Sequence, residues 1–286
     1  MNARARALDK RVYGAAVVRR FSGLTWLVVG LLWAVEARAE TAVDLELALA
    51  VDVSRSIDPS EAQLQREGYI NAFRDPEVIE AIETGMLGRI AVGYFEWAGF
   101  GHTDIIVDWR LIEDAASADA FAAALEKSNP VSASRTSISG AIDFAWPWFN
   151  NNGFEGNRRV VDISGDGPNN WGDFVNRARD RALAAGVTIN GLPILDPGFG
   201  LFSRFNIGNL DLYYRDCVIG GTGAFIEVAA DFNDFARAVR RKLVLEIAGL
   251  QPPLDHGPLA VQADKGAQAS PPCNIGETMW RDRDGF

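Results

Sequence analysis

Cysteine and histidine are scarce in this chain of 286 residues: two of each, Cys217 and Cys273, His102 and His256. No Cys-x-x-Cys occurs, so a structural zinc site has too few soft ligands to form. With two histidines, no Ser-His-Asp order is convincing, and no Gly-x-Ser-x-Gly elbow is present. Gly220-Gly221-Thr222-Gly223 lacks the Lys-Ser/Thr that a phosphate loop needs, and it reads as a turn. No apolar run spans a bilayer comfortably. The longest, Leu24 to Val35, is too short. Positive charge is also short. The chain has 28 Lys and Arg against 38 Asp and Glu, a net of −10. Such a balance disfavours nucleic acid and anionic membranes as partners.

The basic residues that exist are unevenly placed. Arg4, Arg6, Lys10, Arg11, Arg19 and Arg20 precede the short apolar run, and Ala37-Arg38-Ala39 follows it with a small-x-small pattern. Residues 1–39 therefore read as a secretory signal cleaved before Glu40, with a retained N-terminal anchor as the alternative. Arg19-Arg20 lacks the rest of a twin-arginine motif. The expected location is periplasmic or secreted, with no stable membrane span after cleavage. Residues 1–39 hold seven of the 28 basic and two of the 38 acidic residues, so the remainder has 21 basic against 36 acidic residues, a net of −15. In an exported chain the even cysteine pair suggests a Cys217–Cys273 disulfide.

The remainder alternates strand-like and helix-like segments. Strands are expected over 43–53, 89–97, 104–112, 159–164, 187–195 and 224–228. Helices are expected over 59–73, 77–83, 118–127, 137–149, 171–185 and 231–248, with Pro147 ending or kinking its helix. This order implies βαβ units: a doubly wound α/β fold, with a mainly parallel sheet flanked by helices, over 40–249. Pro252-Pro253, Gly257-Pro258 and Pro271-Pro272 mark 250–286 as an extended Pro-rich tail, pinned through Cys273.

The most informative stretch is Asp52-Val53-Ser54-Arg55-Ser56, directly after an apolar strand. An Asp and two hydroxyls at alternating positions past a strand end can converge on one hard cation. Neutral oxygens leave a dication short of negative charge, so it still seeks an outside carboxylate. Two further loops complete the set. Thr136 lies in Arg135-Thr136-Ser137, before a helix, where Thr136 or Ser137 also serves as a cap. Asp166 lies in Ser164-Gly165-Asp166-Gly167, after the 160–163 strand, where Asp-Gly is also a common turn pair.

Asp52, Ser54, Ser56, Thr136 and Asp166, in this order and after these elements, resemble the metal-ion-dependent adhesion site (MIDAS) of von Willebrand factor A domains. The likeness covers about residues 43–249. A narrower likeness, to a bacterial A-domain family of unknown function, rests on Glu96-Trp97-Ala98-Gly99, Ser164 to Asn170, Tyr213 to Cys217 and Arg241 to Glu246. One departure is that Gly165 precedes the third-loop Asp, where many A domains have Thr. Asp162 is the alternative carboxylate, set mid-strand on the same parity.

The resemblance implies a binding module and not an enzyme. Ser54 and Ser56 ligate Mg²⁺ (or Mn²⁺ or Ca²⁺), Thr136 does so directly or through water, and Asp52 and Asp166 balance charge largely through water. The open position takes an Asp or Glu carboxylate of a protein partner. The rival is a metal-assisted hydrolase using Asp52 and Asp166 with nearby Asp143. A solute-binding protein would have no use for the metal loop. His102 reads as a surface loop residue. Trp97, Trp109, Trp146, Trp148 and Trp171 read as core or rim packing, with Asn169, Asn170 and Trp171 placed to shape the binding rim.

Overall fold

The computed structural model describes residues 40–128, 131–195, 207–252 and 269–284. The expected signal over 1–39 and the middle of the expected tail lie outside the described residues.

The architecture follows from the central strand, β2 (Leu45–Asp52), which is buried along its whole length. Its odd positions, Leu45, Leu47, Leu49 and Val51, join one apolar cluster, while Ala48 and Ala50 join another on the opposite face. Side chains alternate across a strand, so the sheet is covered on both faces. β2 pairs in parallel with β3 (Ile90–Trp97) on one side and β6 (Arg159–Gly165) on the other. β4 (Thr103–Ile112) closes one edge antiparallel to β3, and β7 (Thr188–Pro193) closes the other parallel to β6. The order is β4-β3-β2-β6-β7. The chain leaves β2 in both directions, so Asp52 ends a strand at the switch point, where ligands of open α/β sheets bind.

On the leucine face lie α1 (Pro59–Phe73), α2 (Pro76–Glu83), α3 (Ala115–Glu126) and α7 (Phe235–Ala248). Tyr69, Phe73, Phe121 and Phe235 fill this layer. On the alanine face lie α4 (Ile138–Trp148), α5 (Val175–Ala184) and α6 (Leu210–Tyr213), the last continuing into a π-helical turn over Tyr214–Val218. Small alanines let α4 come close to the sheet. The expected mainly parallel, helix-flanked α/β fold is the fold of the protein. Among the described residues no helix is long and apolar enough to cross a membrane.

Several segments differ from the sequence reading. The first strand is broken at Asp44 into β1 (Thr41–Val43), which pairs with an unexpected β5 (Phe154–Gly156), and β2. Asp44 carboxylate accepts the Leu87 amide there, which fixes the break. Pro147 does not end α4. It sits one residue before the helix end, so the missing amide donor and the ring's clash with the preceding turn disturb only the last turn. The expected strand over 224–228 forms only one isolated bridge to β7, Gly191–Ile226, with a second, Ile194–Ala229, just beyond both segments. Pro193 has no amide to give the ladder, and the Phe225 amide goes instead to the Asn190 side chain, 3.0 Å away.

Two further corrections bear on function. α5 starts at Val175 and not at Trp171, because Gly172 has φ 92° and cannot continue a helix. The 250–286 tail is not extended throughout. It ends in α8 (Ile275–Asp284), whose start is tied to the π-helical turn by the Cys217–Cys273 bond (S–S 2.06 Å). Pro271-Pro272 stops just short of the helix, and Ile275 packs on the alanine-face cluster.

Candidate metal centre

Three loops meet at the carboxyl end of β2. The first is held from both sides: Val53 donates to Trp97 O at 2.9 Å, and Ile57 to Ser54 O at 2.9 Å. Asp52 Oδ1 accepts the Ser54 amide at 2.7 Å, an Asx-type bond that turns the loop back on itself. Ser54 Oγ and Ser56 Oγ are then 3.0 Å apart, and Ser56 Oγ donates to Asp166 Oδ1 at 2.9 Å. Thr136 Oγ1 is 3.5 Å from Ser54 Oγ. The five expected residues are thus one connected group of carboxylate and hydroxyl oxygens drawn from three loops. Asp52, Ser54, Thr136 and Asp166 are buried, and Ser56 is partly exposed.

The second loop, between α3 and α4, is placed by the segment that follows β3. Ala98 O accepts the Ser137 amide at 2.9 Å. A Cβ on Gly99 would stand 2.5 Å from Ser134 O, so the Glu96-Trp97-Ala98-Gly99 run needs glycine at its end. Ser137, not Thr136, caps α4 by accepting from Gly140 at 3.1 Å, which leaves the Thr136 hydroxyl to the site. Glu96 itself is bound by Arg66 of α1, in a buried pair that ties β3 to that helix.

The third loop is cross-linked to the second by two asparagines. Asn170 Oδ1 accepts the Thr136 amide at 2.9 Å, and the Asn170 amide donates to Thr136 O at 2.9 Å. Asn169 Oδ1 accepts the Ser139 amide at 2.9 Å. The two asparagines fix the loop that carries Thr136 and the start of α4, and Asn169 is fully buried, so it does not stand at a rim as the sequence reading expects.

The electrostatics of the group are those of two carboxylates brought together. The Asp52 carboxyl is pushed well above its ordinary range, first by burial and then by the charge of Asp166, against the pull of the Ser54 amide. The buried Tyr214 hydroxyl is pushed up by burial, then by Asp52 and Asp166. Asp52 Oδ2 is buried without a hydrogen-bond partner among the described residues. The donor set is all oxygen, with two carboxylates and three hydroxyls. Among the described residues no group of three or more His, Cys, Asp or Glu could hold a metal, so a cation here would depend on the hydroxyls. Such a set fits a hard cation that keeps part of its water shell, as Mg²⁺ does, and it does not fit a soft one.

The remaining candidates lie elsewhere. Asp162 faces α7, where Lys242 Nζ is 2.7 Å from its Oδ1. Asp143 is bound by Arg181 at 2.6 Å on the surface. His102 sits in a turn 3.6 Å from Asp104. Tyr213, Glu277 and Trp280 were not among the sequence candidates, yet all three reach the second or third loop. The Asn169 amide donates to Tyr213 Oη at 3.2 Å, Asn169 Nδ2 donates to Glu277 Oε1 at 2.7 Å, and Trp280 stacks on Arg135.

Residues 42–251 match the model of a family described as a protein of unknown function, DUF1194. No curated protein matches the chain. Among solved structures, the chain is similar to proximal thread matrix protein 1 from the mussel byssus. The TM-score is 0.53 at 15% identity, over 73% of this chain and 49% of that one. It is also similar to the pilus adhesin SpaC from Lactobacillus rhamnosus GG, with TM-score 0.50 and 13% identity over 73% of this chain and 31% of that one. A von Willebrand factor type A structure from Catenulispora acidiphila has TM-score 0.46 and 11% identity, over 72% of this chain and 43% of that one. The chain spans less than half the length of each of these solved chains, and the likeness is one of fold. The protein belongs to the DUF1194 family of proteins of unknown function.

Proposed function

We propose that this protein is an exported binding module whose capture of a protein partner depends on a divalent cation. The observation that carries the reading is the convergence of Asp52, Ser54, Ser56, Thr136 and Asp166 into one buried, all-oxygen group with Asp52 Oδ2 left unbonded among the described residues. Ser54, Ser56 and Thr136 would hold Mg²⁺, or Mn²⁺ or Ca²⁺, through their hydroxyls, with Asp52 and Asp166 supplying negative charge. When bound, the ion offers a coordination position that an Asp or Glu carboxylate of the partner fills.

The chain's own residues prepare that event. Asp52 Oδ1 is spent on the Ser54 amide, which holds the loop in shape before any ion arrives. Asn170 fixes the peptide of Thr136, so its hydroxyl is held near Ser54 by the backbone and not by a cap bond. Trp171 and Phe100, both exposed, stand beside these loops and suit an apolar contact around the partner's carboxylate. Export is supported by the basic start and short apolar run of 1–39, and by a disulfide, which persists in oxidising compartments. The hydrolase reading loses Asp143, whose carboxylate is taken by Arg181.

The test is a pull-down from the extracytoplasmic fraction in Mg²⁺ or in chelator, with wild type and Thr136→Ala. Capture should need the ion and drop in the variant. Equal capture in chelator would contradict the proposal.

A further inference from the structure

α8 lies far from the metal loops in sequence, yet it is wired to two of them. The Cys217–Cys273 bond, 56 residues apart in sequence, brings the start of α8 against the π-helical turn. From there Tyr213 Oη bridges two segments. It accepts the Asn169 amide at 3.2 Å and donates to Cys273 O at 3.4 Å. One turn along, Glu277 Oε1 accepts from Asn169 Nδ2 at 2.7 Å, and the same Asn169 holds the Ser139 amide at the start of α4. The backbones touch as well: a Cβ on Gly276 would stand 2.1 Å from Asn169 O, so no side chain fits between helix and loop.

The second loop is gripped at the same time. Arg135 precedes Thr136 and has φ 75°, a left-handed conformation that is costly for a residue with a side chain. Its guanidinium lies over two indoles, 3.6 Å from the Trp280 ring centroid and 4.5 Å from that of Trp171. Trp280 comes from α8 and Trp171 from the third loop. The stacked cation thus links helix and both loops, and it opposes relaxation of the strained residue beside Thr136.

We infer that the disulfide-anchored α8 is part of the metal site's framework, with Glu277 and Trp280 as positioning residues that set Thr136 through Asn169 and Arg135. The metal arm of this inference rests on the proposed function, and the coupling of helix to loops does not. Partners that orient ligating groups commonly matter to affinity about tenfold or more when removed.

The test is hydrogen exchange on metal-free protein, with a Mn²⁺ titration on the same samples. The variants are Glu277→Ala, Glu277→Gln, Trp280→Ala and Gly276→Val. In Glu277→Ala, Trp280→Ala and Gly276→Val, amides of Thr136, Ser139 and Asn170 should exchange about tenfold faster or more, while those of β2 and β3 stay as in wild type. Mn²⁺ affinity in these variants should fall by about tenfold. Glu277→Gln keeps the Oε1 acceptor and should restore both readouts, which a bulk structural defect would not allow. Unchanged exchange at the three loop amides in Trp280→Ala and Glu277→Ala would overturn the inference. If the variants speed exchange but wild type binds no Mn²⁺, the metal reading fails and the coupling stands.

Discussion

Two pairs of buried carboxylates are built around this sheet, and they are balanced differently. Asp162 in β6 and Glu246 in α7 meet over Lys242, whose Nζ is 2.7 Å from Asp162 Oδ1 and also binds Glu246. Asn190 adds a donor to Glu246 at 2.7 Å. Asp52 and Asp166, at the strand ends, are met by a backbone amide and by serine hydroxyls. No Lys, Arg or His ion-pairs with Asp52 among the described residues. Burying charge without a counter-charge is costly, so each pair needs a cation or a proton. The first pair has its cation in the chain. For Asp52, we propose that the cation is the ligand.

The comparison can be broken at either end. Lys242→Met removes the resident cation and leaves two buried carboxylates, so stability should fall by about 3–5 kcal/mol in urea unfolding. A loss well under that would mean the cluster is not held by its lysine. Asp52→Asn should do the opposite in metal-free protein: no loss of stability, since it relieves repulsion with Asp166. It should also abolish the Mg²⁺-induced gain, which for wild type is about 2.7 kcal/mol at a hundredfold excess over Kd. Thermal unfolding with and without Mg²⁺ reads both.

The resident pair also predicts a pH dependence. The Glu246 carboxyl is pushed up to about 7, first by burial and then by the Asp162 charge, from an ordinary 4.5. The unfolded chain releases this proton near 4.5 while the native state holds it to about 7. The native state therefore binds more protons in that window, and stability falls as pH rises through it. Glu246→Gln should flatten the fall, read as the wild-type-minus-variant difference between pH 4.5 and 7. The smallest stability effect is expected from Ser54→Ala with Ser56→Ala, within about 1 kcal/mol. Mg²⁺ affinity in this double variant should nonetheless drop about tenfold or more by calorimetry.

What could be read from the sequence divides along physical lines. The fold class was legible because β2, β3 and β6 are apolar runs between helical patterns, and α1 carries its own start signal. Asp58 accepts from Ser60 and Glu61, and Glu61 reaches back to the Asp58 amide. The residues proposed to hold the cation were legible as a spacing after a strand. Asp162 was harder to separate from Asp166, since parity along a strand does not say which helix covers that face. Lys242, one turn before Glu246, decides it. β5 is a three-residue strand, too short to show a period. α8 was hidden behind Pro271-Pro272 and a weak apolar pattern. Its placement comes from the Cys217–Cys273 bond and from Gly276, Glu277 and Trp280 meeting the loops, which are tertiary contacts without a local signature.

The most direct test of the central claim is a Mn²⁺ titration, followed by electron paramagnetic resonance, of wild type and Asp52→Asn. The account predicts one saturable site per chain in wild type, displaced by Mg²⁺, and none in the variant. A wild type that leaves Mn²⁺ free in solution, or a variant that binds it as tightly as wild type, would contradict the claim that these loops form a cation site.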